Sequence, residues 1–307
     1  MKARWIAFCA FICLALGLMA CSFGGEGFGS DGSDSSSRGK VIKVVAGENF
    51  YGNIVSQIGG SHVAVTSILS DPNVDPHEYE SSVKNAADIA KANLVVVNGL
   101  GYDDFMNSLL RISPNDGRKV IAAAKVLGIS GKDANPHIWY DVEKMPQLAD
   151  EIATELTAVD PANAQVFKNN VVKFNQSLGS ITSIIKTIHT KYNGTKISYT
   201  ERVPGYLVQA TGLQLDIPAS FPQSIEDGND PSPADTAAFD KAITSKSVKA
   251  LLYNAQVTDR QTDQLTSLAE SYQVSVVPVT ETMPPHAKNY QFWQQAQTQA
   301  LFKALGG

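Results

Sequence analysis

From Phe167 to Tyr192 the apolar side chains fall in a rhythm of fours and threes: Phe167, Val171, Phe174, Leu178, Ile181, Ile185, Ile188 and Tyr192. Residues so spaced form one stripe along a 3.6-residue helix. Asp160-Pro161 opens the segment with a capping carboxylate and a first-turn proline, and Asn193-Gly194 closes it. The spacing predicts one helix over 160–193, about 30 residues and roughly 45 Å long at ~1.5 Å per residue. A helix of that length in a 307-residue chain is expected to span two lobes. A coiled-coil dimer is the competing use of such a stripe. The repeat covers only about four heptads, however, and few charged pairs flank it.

On both sides of this segment, short apolar runs alternate with helical patterns. Before it, strands are expected over Lys40–Ala46, Val63–Leu69, Asn93–Asn98 and Lys119–Ala123. Helices are expected over Phe50–Ile58, Ser82–Ala92, Asp103–Ile112 and Asp141–Ala158. After it, the strands are Lys196–Thr200, Leu213–Ile217, Val248–Tyr253 and Val274–Val279. The helices there are Val203–Thr211, Ala234–Thr244, Thr258–Tyr272 and Phe292–Leu305, and Phe221–Pro233 reads as a polar loop. Continuous apolar strands separated by helices indicate parallel sheets covered on both faces. The expected fold is α/β: an N-terminal lobe over 40–159, the linking helix over 160–193 and a C-terminal lobe over 194–307. With a helix bridging the lobes, closure motions should be small.

The first 39 residues have another character. Lys2 and Arg4 precede an uncharged apolar run, Ile6–Ala20. That run is too short for a comfortable membrane span, which needs ~20 residues. It ends in Leu18-Met19-Ala20-Cys21, which resembles a lipobox, with Met19 a less usual residue at its place. The resemblance implies a signal peptide over 1–21, with lipid on Cys21 as the first mature residue. An ordinary cleaved signal is the alternative. Ser22–Gly39 is rich in Gly, Ser and Asp, has little to bury, and reads as a disordered tether. The chain is thus expected outside the cytoplasm, anchored to the cell membrane. Cys9 and Cys13 lie in the leader, so Cys21 has no partner for a disulfide and a metal site must use His and carboxylates. The net charge of −5 and the lack of a Lys/Arg cluster argue against nucleic acid as a partner.

Ligands of open α/β sheets bind beyond the carboxyl ends of the strands. Two of those ends lead into Pro-His loops, Asp75-Pro76-His77-Glu78-Tyr79-Glu80 and Asn135-Pro136-His137-Ile138-Trp139. Two others lead into carboxylates, Glu201 and Glu281. If the lobes face each other, His77, His137, Glu201 and Glu281 converge on one cleft. Two imidazole nitrogens with two carboxylates suit a divalent ion: Zn²⁺ as a tetrahedron, or Mn²⁺ with bidentate carboxylates. Taken singly, Glu201 and Glu281 would also serve as helix-start carboxylates.

The two histidine motifs resemble those of the zinc/manganese solute-binding proteins of ABC transporters, the adhesin-type lipoproteins. The resemblance runs from Val41 to Leu305 and includes the long helix, which in that family is a rigid backbone between two α/β lobes. It implies ligands at His77 and His137, a third at Glu201 and a fourth at Glu281, where the family commonly has Asp. It further implies a monomer that delivers Zn²⁺ or Mn²⁺ to an ABC permease. The His-rich loop of many zinc importers is absent, since Leu100–Asn135 has no His. Four ligands with two acids tilt the set towards Mn²⁺, while the Irving–Williams order favours Zn²⁺ in solution; Fe²⁺ is a third candidate. His62 and His189 read as structural or solvated, and His286 as a residue near the cleft rim. Arg202 is expected to form an ion pair near Glu201. Competing functions are a zinc hydrolase, a surface adhesin with a structural metal, and a binder of an organic solute. The chain has no HExxH motif.

Overall fold

The structure is a computed structural model and describes residues 41–71, 79, 82–256 and 260–307. The leader, Cys21, the tether and His77 lie outside the described residues. No helix among the described residues is long and apolar enough to cross a membrane.

In the N-terminal half the elements run β1 (Ile42–Glu48), α1 (Asn49–Gly59), β2 (Val63–Leu69), α2 (Val83–Ala90), β3 (Leu94–Val97), α3 (Asp104–Ile112), β4 (Lys119–Ala122), α4 (Ala123–Val126) and α5 (Met145–Val159). The strands form a parallel sheet in the order β2-β1-β3-β4. β3 is buried at all four residues, as its unbroken Leu-Val-Val-Val run requires. The edge strand β2 instead alternates exposed and half-buried positions over most of its length.

After α6 (Ala164–Ser177) and α7 (Gly179–Tyr192) the second half repeats the plan. It runs β5 (Lys196–Tyr199), α8 (Gly205–Ala210), β6 (Gln214–Leu215), α9 (Ser220–Glu226), α10 (Pro233–Thr244), β7 (Ala250–Asn254), α11 (Arg260–Ser271), β8 (Ser275–Val279) and α12 (Tyr290–Leu305). Its parallel sheet has the corresponding order, β6-β5-β7-β8. Each sheet therefore reverses its winding next to its first strand, between β1 and β3 in one half and between β5 and β7 in the other. Side chains at those strand ends have an open crevice before them.

The expected single helix over 160–193 is two helices parted by Leu178. Leu178 keeps a helical conformation (φ −74°, ψ −15°), but its N–H turns to the Asn175 carbonyl, at 3.3 Å, and to that of Gln176. The Ser177 hydroxyl donates to the Phe174 carbonyl at 2.6 Å, and Gly179 follows. A Ser/Gly pair with such back-bonding is a recognised cause of a helix break. The apolar stripe survives it: Phe167, Val171, Phe174, Leu178, Ile181, Ile185 and Ile188 are all buried. They belong to one core that also takes Ile42, Val44 and Leu94 from the first sheet and Ile197, Leu252 and Val277 from the second. Smaller clusters lie around Val95 and Leu109 and around Phe239 and Leu251.

Candidate metal centre

His137 sits just ahead of a 3₁₀ turn, Ile138–Tyr140, and is fully buried. Its orientation follows from Asn135. The Asn135 amide nitrogen donates to the Arg202 carbonyl at 2.7 Å, which turns its Oδ1 towards the histidine. That oxygen accepts the His137 backbone N–H at 3.1 Å and lies 2.7 Å from Nδ1. A carbonyl oxygen can only accept, so Nδ1 carries a hydrogen and Nε2 is the nitrogen presented to the crevice. The proline before it is held as well: Asn98 donates to the Pro136 carbonyl at 2.9 Å, and the Tyr51 hydroxyl donates to Asn98 Oδ1 at 2.6 Å. Tyr102 and Trp139 meet the imidazole edge-to-face at 5.8 and 5.3 Å.

His137 Nε2 lies 2.9 Å from Glu281 Oε1, and both side chains are fully buried. Glu281 comes two residues after β8, on a segment fixed by Thr280. The Thr280 N–H donates to Gln297 Oε1 at 2.7 Å, and its carbonyl accepts the Tyr140 hydroxyl at 2.7 Å. Glu201 comes two residues after β5 and is 2% exposed. Asn254, at the end of β7, joins the two acids: its amide nitrogen donates to Glu201 Oε2 at 3.1 Å and to Glu281 Oε2 at 3.2 Å. The structure thus brings His137, Glu201 and Glu281 into one buried crevice. Among the described residues no group of three His, Cys, Asp or Glu side chains is arranged to hold an ion. The imidazole and the Glu281 carboxylate instead face each other directly.

A second acidic group borders the crevice at the winding reversal of the first sheet. Glu48 ends β1, is fully buried, and neither carboxyl oxygen has a hydrogen-bond partner. Burial, reinforced by the charge of Asp103, pushes its carboxyl well above the usual range. Burial pushes Asp103 up to about 6, although the Gly99 and Asn98 backbone N–H groups work in the opposite direction. Burial likewise raises the Tyr102 phenol, and Glu281 and Glu48 add to the shift.

The other described histidines fall outside this group. His62 meets Phe167 edge-on at 5.9 Å, and His189 and His286 are exposed. Arg202 forms the expected ion pair: its Nη2 lies 2.7 Å from Glu226 Oε2, and its backbone N–H also donates to Glu226. Sequence reasoning missed Glu48, Asp103 and Asn254. Applied to polar residues of every kind, the strand-end rule would have flagged Glu48 and Asn254, which close β1 and β7.

Residues 44–304 match the family described as zinc-uptake complex component A, periplasmic. Among curated relatives, the manganese-binding lipoprotein MntA of Bacillus subtilis is 25% identical over 260 residues, covering 80% of this chain and 82% of that protein. The metal ABC transporter substrate-binding lipoprotein FimA of Streptococcus parasanguinis is 24% identical over 264 residues, 81% of each chain. In fold, the chain resembles the Mn-bound periplasmic metal binding protein of Candidatus Liberibacter asiaticus, with a TM-score of 0.69 and 20% identity over 86% of this chain and 99% of that one. It also resembles FpvC of P. aeruginosa in complex with Ni²⁺, with a TM-score of 0.72 and 21% identity over 87% and 97%.

Proposed function

This chain belongs to the periplasmic zinc-uptake component A family, and we propose that it captures a divalent ion, Zn²⁺ or Mn²⁺, outside the cytoplasm and hands it to an ABC permease. The observation that carries this reading is the buried contact between His137 Nε2 and Glu281 Oε1, with Glu201 tied to the same point through Asn254. An imidazole and two carboxylates meeting in a water-excluded crevice are donors for a cation, and the two acids balance its charge. His77, brought by the first Pro-His motif, is proposed as the fourth ligand beside His137, Glu201 and Glu281. Four protein ligands leave no open position for a reactive water, so binding is favoured over hydrolysis.

The lobes are assigned to 40–159 and 194–307, with 160–193 as the link. Lipid on Cys21 and the tether over 22–39 would hold a monomeric receptor close to its permease, where a high local concentration favours transfer. Supporting this are the lipobox-like leader and relatives that are themselves lipoproteins. The test is native mass spectrometry of the purified domain with His137→Ala. Wild type is expected to hold about one divalent ion per chain and the variant none at high affinity. Equal stoichiometry in the two proteins would refute the site.

A further inference from the structure

Thr280, the residue before Glu281, has its N–H, hydroxyl and carbonyl all tied. The N–H donates to Gln297 Oε1 at 2.7 Å, Oγ1 accepts the Trp293 Nε1–H at 2.7 Å, and the carbonyl accepts the Tyr140 hydroxyl at 2.7 Å. Gln297 and Trp293 stand on α12, in the same half of the chain as Glu281. Tyr140 comes from the other half, at the end of the 3₁₀ turn that follows His137. The turn keeps that link short, since the Tyr140 N–H donates to the His137 carbonyl at 3.1 Å. Gln297 completes the arrangement. A backbone N–H can only donate, so the Gln297 atom facing Thr280 is the amide oxygen. The same oxygen lies 2.8 Å from the Tyr140 hydroxyl, whose one hydrogen is shared between Gln297 and the Thr280 carbonyl.

Packing alone does not call for this hydroxyl. The Tyr140 ring is buried near Trp139 and Trp293, with centroids at 6.3 and 6.1 Å, and a phenylalanine ring would fill the same space. Burying a hydroxyl costs free energy unless it finds a partner. Here one acceptor belongs to the Glu281 segment and the other braces that segment. We propose that Tyr140 is a positioning residue: its hydroxyl, clasped with Gln297 onto Thr280, sets the spacing of His137 and Glu281 across the two halves and slows release of the bound ion. The proposal rests on His137 and Glu281 being ligands. A binding constellation must be held within about 0.5 Å of its productive geometry. His137 and Glu281 come from different halves, so neither half alone fixes their separation. A tie that starts beside one and ends beside the other does.

The experiment measures Zn²⁺ affinity by competitive titration and the Zn²⁺ dissociation rate by chelator capture in stopped flow. The proteins are the mature chain as wild type, Tyr140→Phe, Gln297→Leu, the double variant, Phe167→Leu and His137→Ala. Loss of a group that orients a ligand typically costs roughly 10–100-fold in metal affinity. Tyr140→Phe and Gln297→Leu should each weaken Zn²⁺ binding about tenfold or more, mainly through faster dissociation. Because both act on one clasp, the double variant should lose less than the product of the two single losses. Phe167→Leu loosens the buried core on α6 and is the control for stability: it should lower the denaturation midpoint and leave the dissociation rate unchanged. A wild-type dissociation rate in Tyr140→Phe, or equal acceleration by Phe167→Leu, would overturn the role of Tyr140 alone, provided His137→Ala loses its metal. If Tyr140→Phe does not fold, a wild-type rate in Gln297→Leu would overturn it in the same way. Losses that multiply in the double variant would also overturn the clasp. Metal retained at full stoichiometry by His137→Ala would overturn the site and this proposal together.

Discussion

Asp103→Asn should remove a distinct pH dependence from the stability of the metal-free protein. The Asp103 carboxylate is 2% exposed, and it accepts the Asn98 N–H at 2.6 Å and the Gly99 N–H at 2.8 Å. Burial outweighs those bonds and raises the group from 3.8 to about 6. A shift of about two pH units corresponds to on the order of 3 kcal/mol. The folded state holds this proton more tightly than the unfolded chain does. Its contribution to stability is therefore complete below pH ~4 and is lost as pH rises through 6. The Glu48 carboxyl beside it is likewise pushed upward, by burial and by the charge of Asp103. Denaturant unfolding can be followed through the buried Trp139 and Trp293 at intervals from pH 4.5 to 7.5. The amide of the variant has no proton to lose, and it can accept only one of the two backbone N–H groups, which costs about 1 kcal/mol at every pH. The free-energy difference between the proteins should thus move by roughly 2 kcal/mol in favour of the variant between pH 4.5 and 7.5. Because shifts common to both proteins cancel, parallel curves would refute the assignment of this titration to Asp103.

Other perturbations probe the frame around the crevice. Glu226→Gln removes the charge facing Arg202 Nε and Nη2, both 2.7 Å from the carboxylate. Breaking a buried pair costs about 3–5 kcal/mol, and the 19% exposure of Arg202 brings the expectation to about 2–4 kcal/mol in denaturant unfolding. A loss below about 1 kcal/mol would mean that solvent already serves the guanidinium. Phe167→Ala empties a fully buried position on α6 and should cost about 3–5 kcal/mol in the same assay. A cost near that of a surface substitution would show that the long helical segment is not a core element.

The parallel sheets were legible because their strands are buried on both faces. β2 was placed correctly to the residue, and β3 within one residue at each end. The break at Leu178 was not legible, because apolar periodicity records which residues face the core and not where the backbone ladder is interrupted. The segment Phe221–Pro233 was expected to be loop, yet it begins with α9. That helix has seven residues, too few to show a period. It is held by Phe221 packing at 4.6 Å on Phe239 and by Glu226 reaching Arg202. Glu201, Glu281 and His137 stand out in the sequence because they follow strands, where an α/β sheet presents ligands, and the structure draws them together. Asn254 stands there too, but a lone Asn after an apolar run reads as ordinary turn chemistry. Its amide meets two acids that lie 53 and 27 residues away in the chain.

The same contacts bear on how an ion could enter and leave. The two halves are joined by more than the α6–α7 segment. Asn49 exchanges two hydrogen bonds with the Met283 backbone, at 2.7 and 3.0 Å, and the Gln57 and Gln291 amides pair reciprocally at 3.0 and 2.8 Å. Asn135 bonds to the Arg202 carbonyl, Tyr206 to the Asn135 carbonyl, Tyr140 to the Thr280 carbonyl and Tyr290 to the Trp139 carbonyl. A wide hinge would break these eight bonds together, at about 1 kcal/mol net each, and would also split a core continuous between the sheets. Metal can shift the equilibrium only by its differential affinity for the two states. Local movement of the loops bearing His137, Glu201 and Glu281 costs far less, because their hydrogen bonds can exchange one at a time.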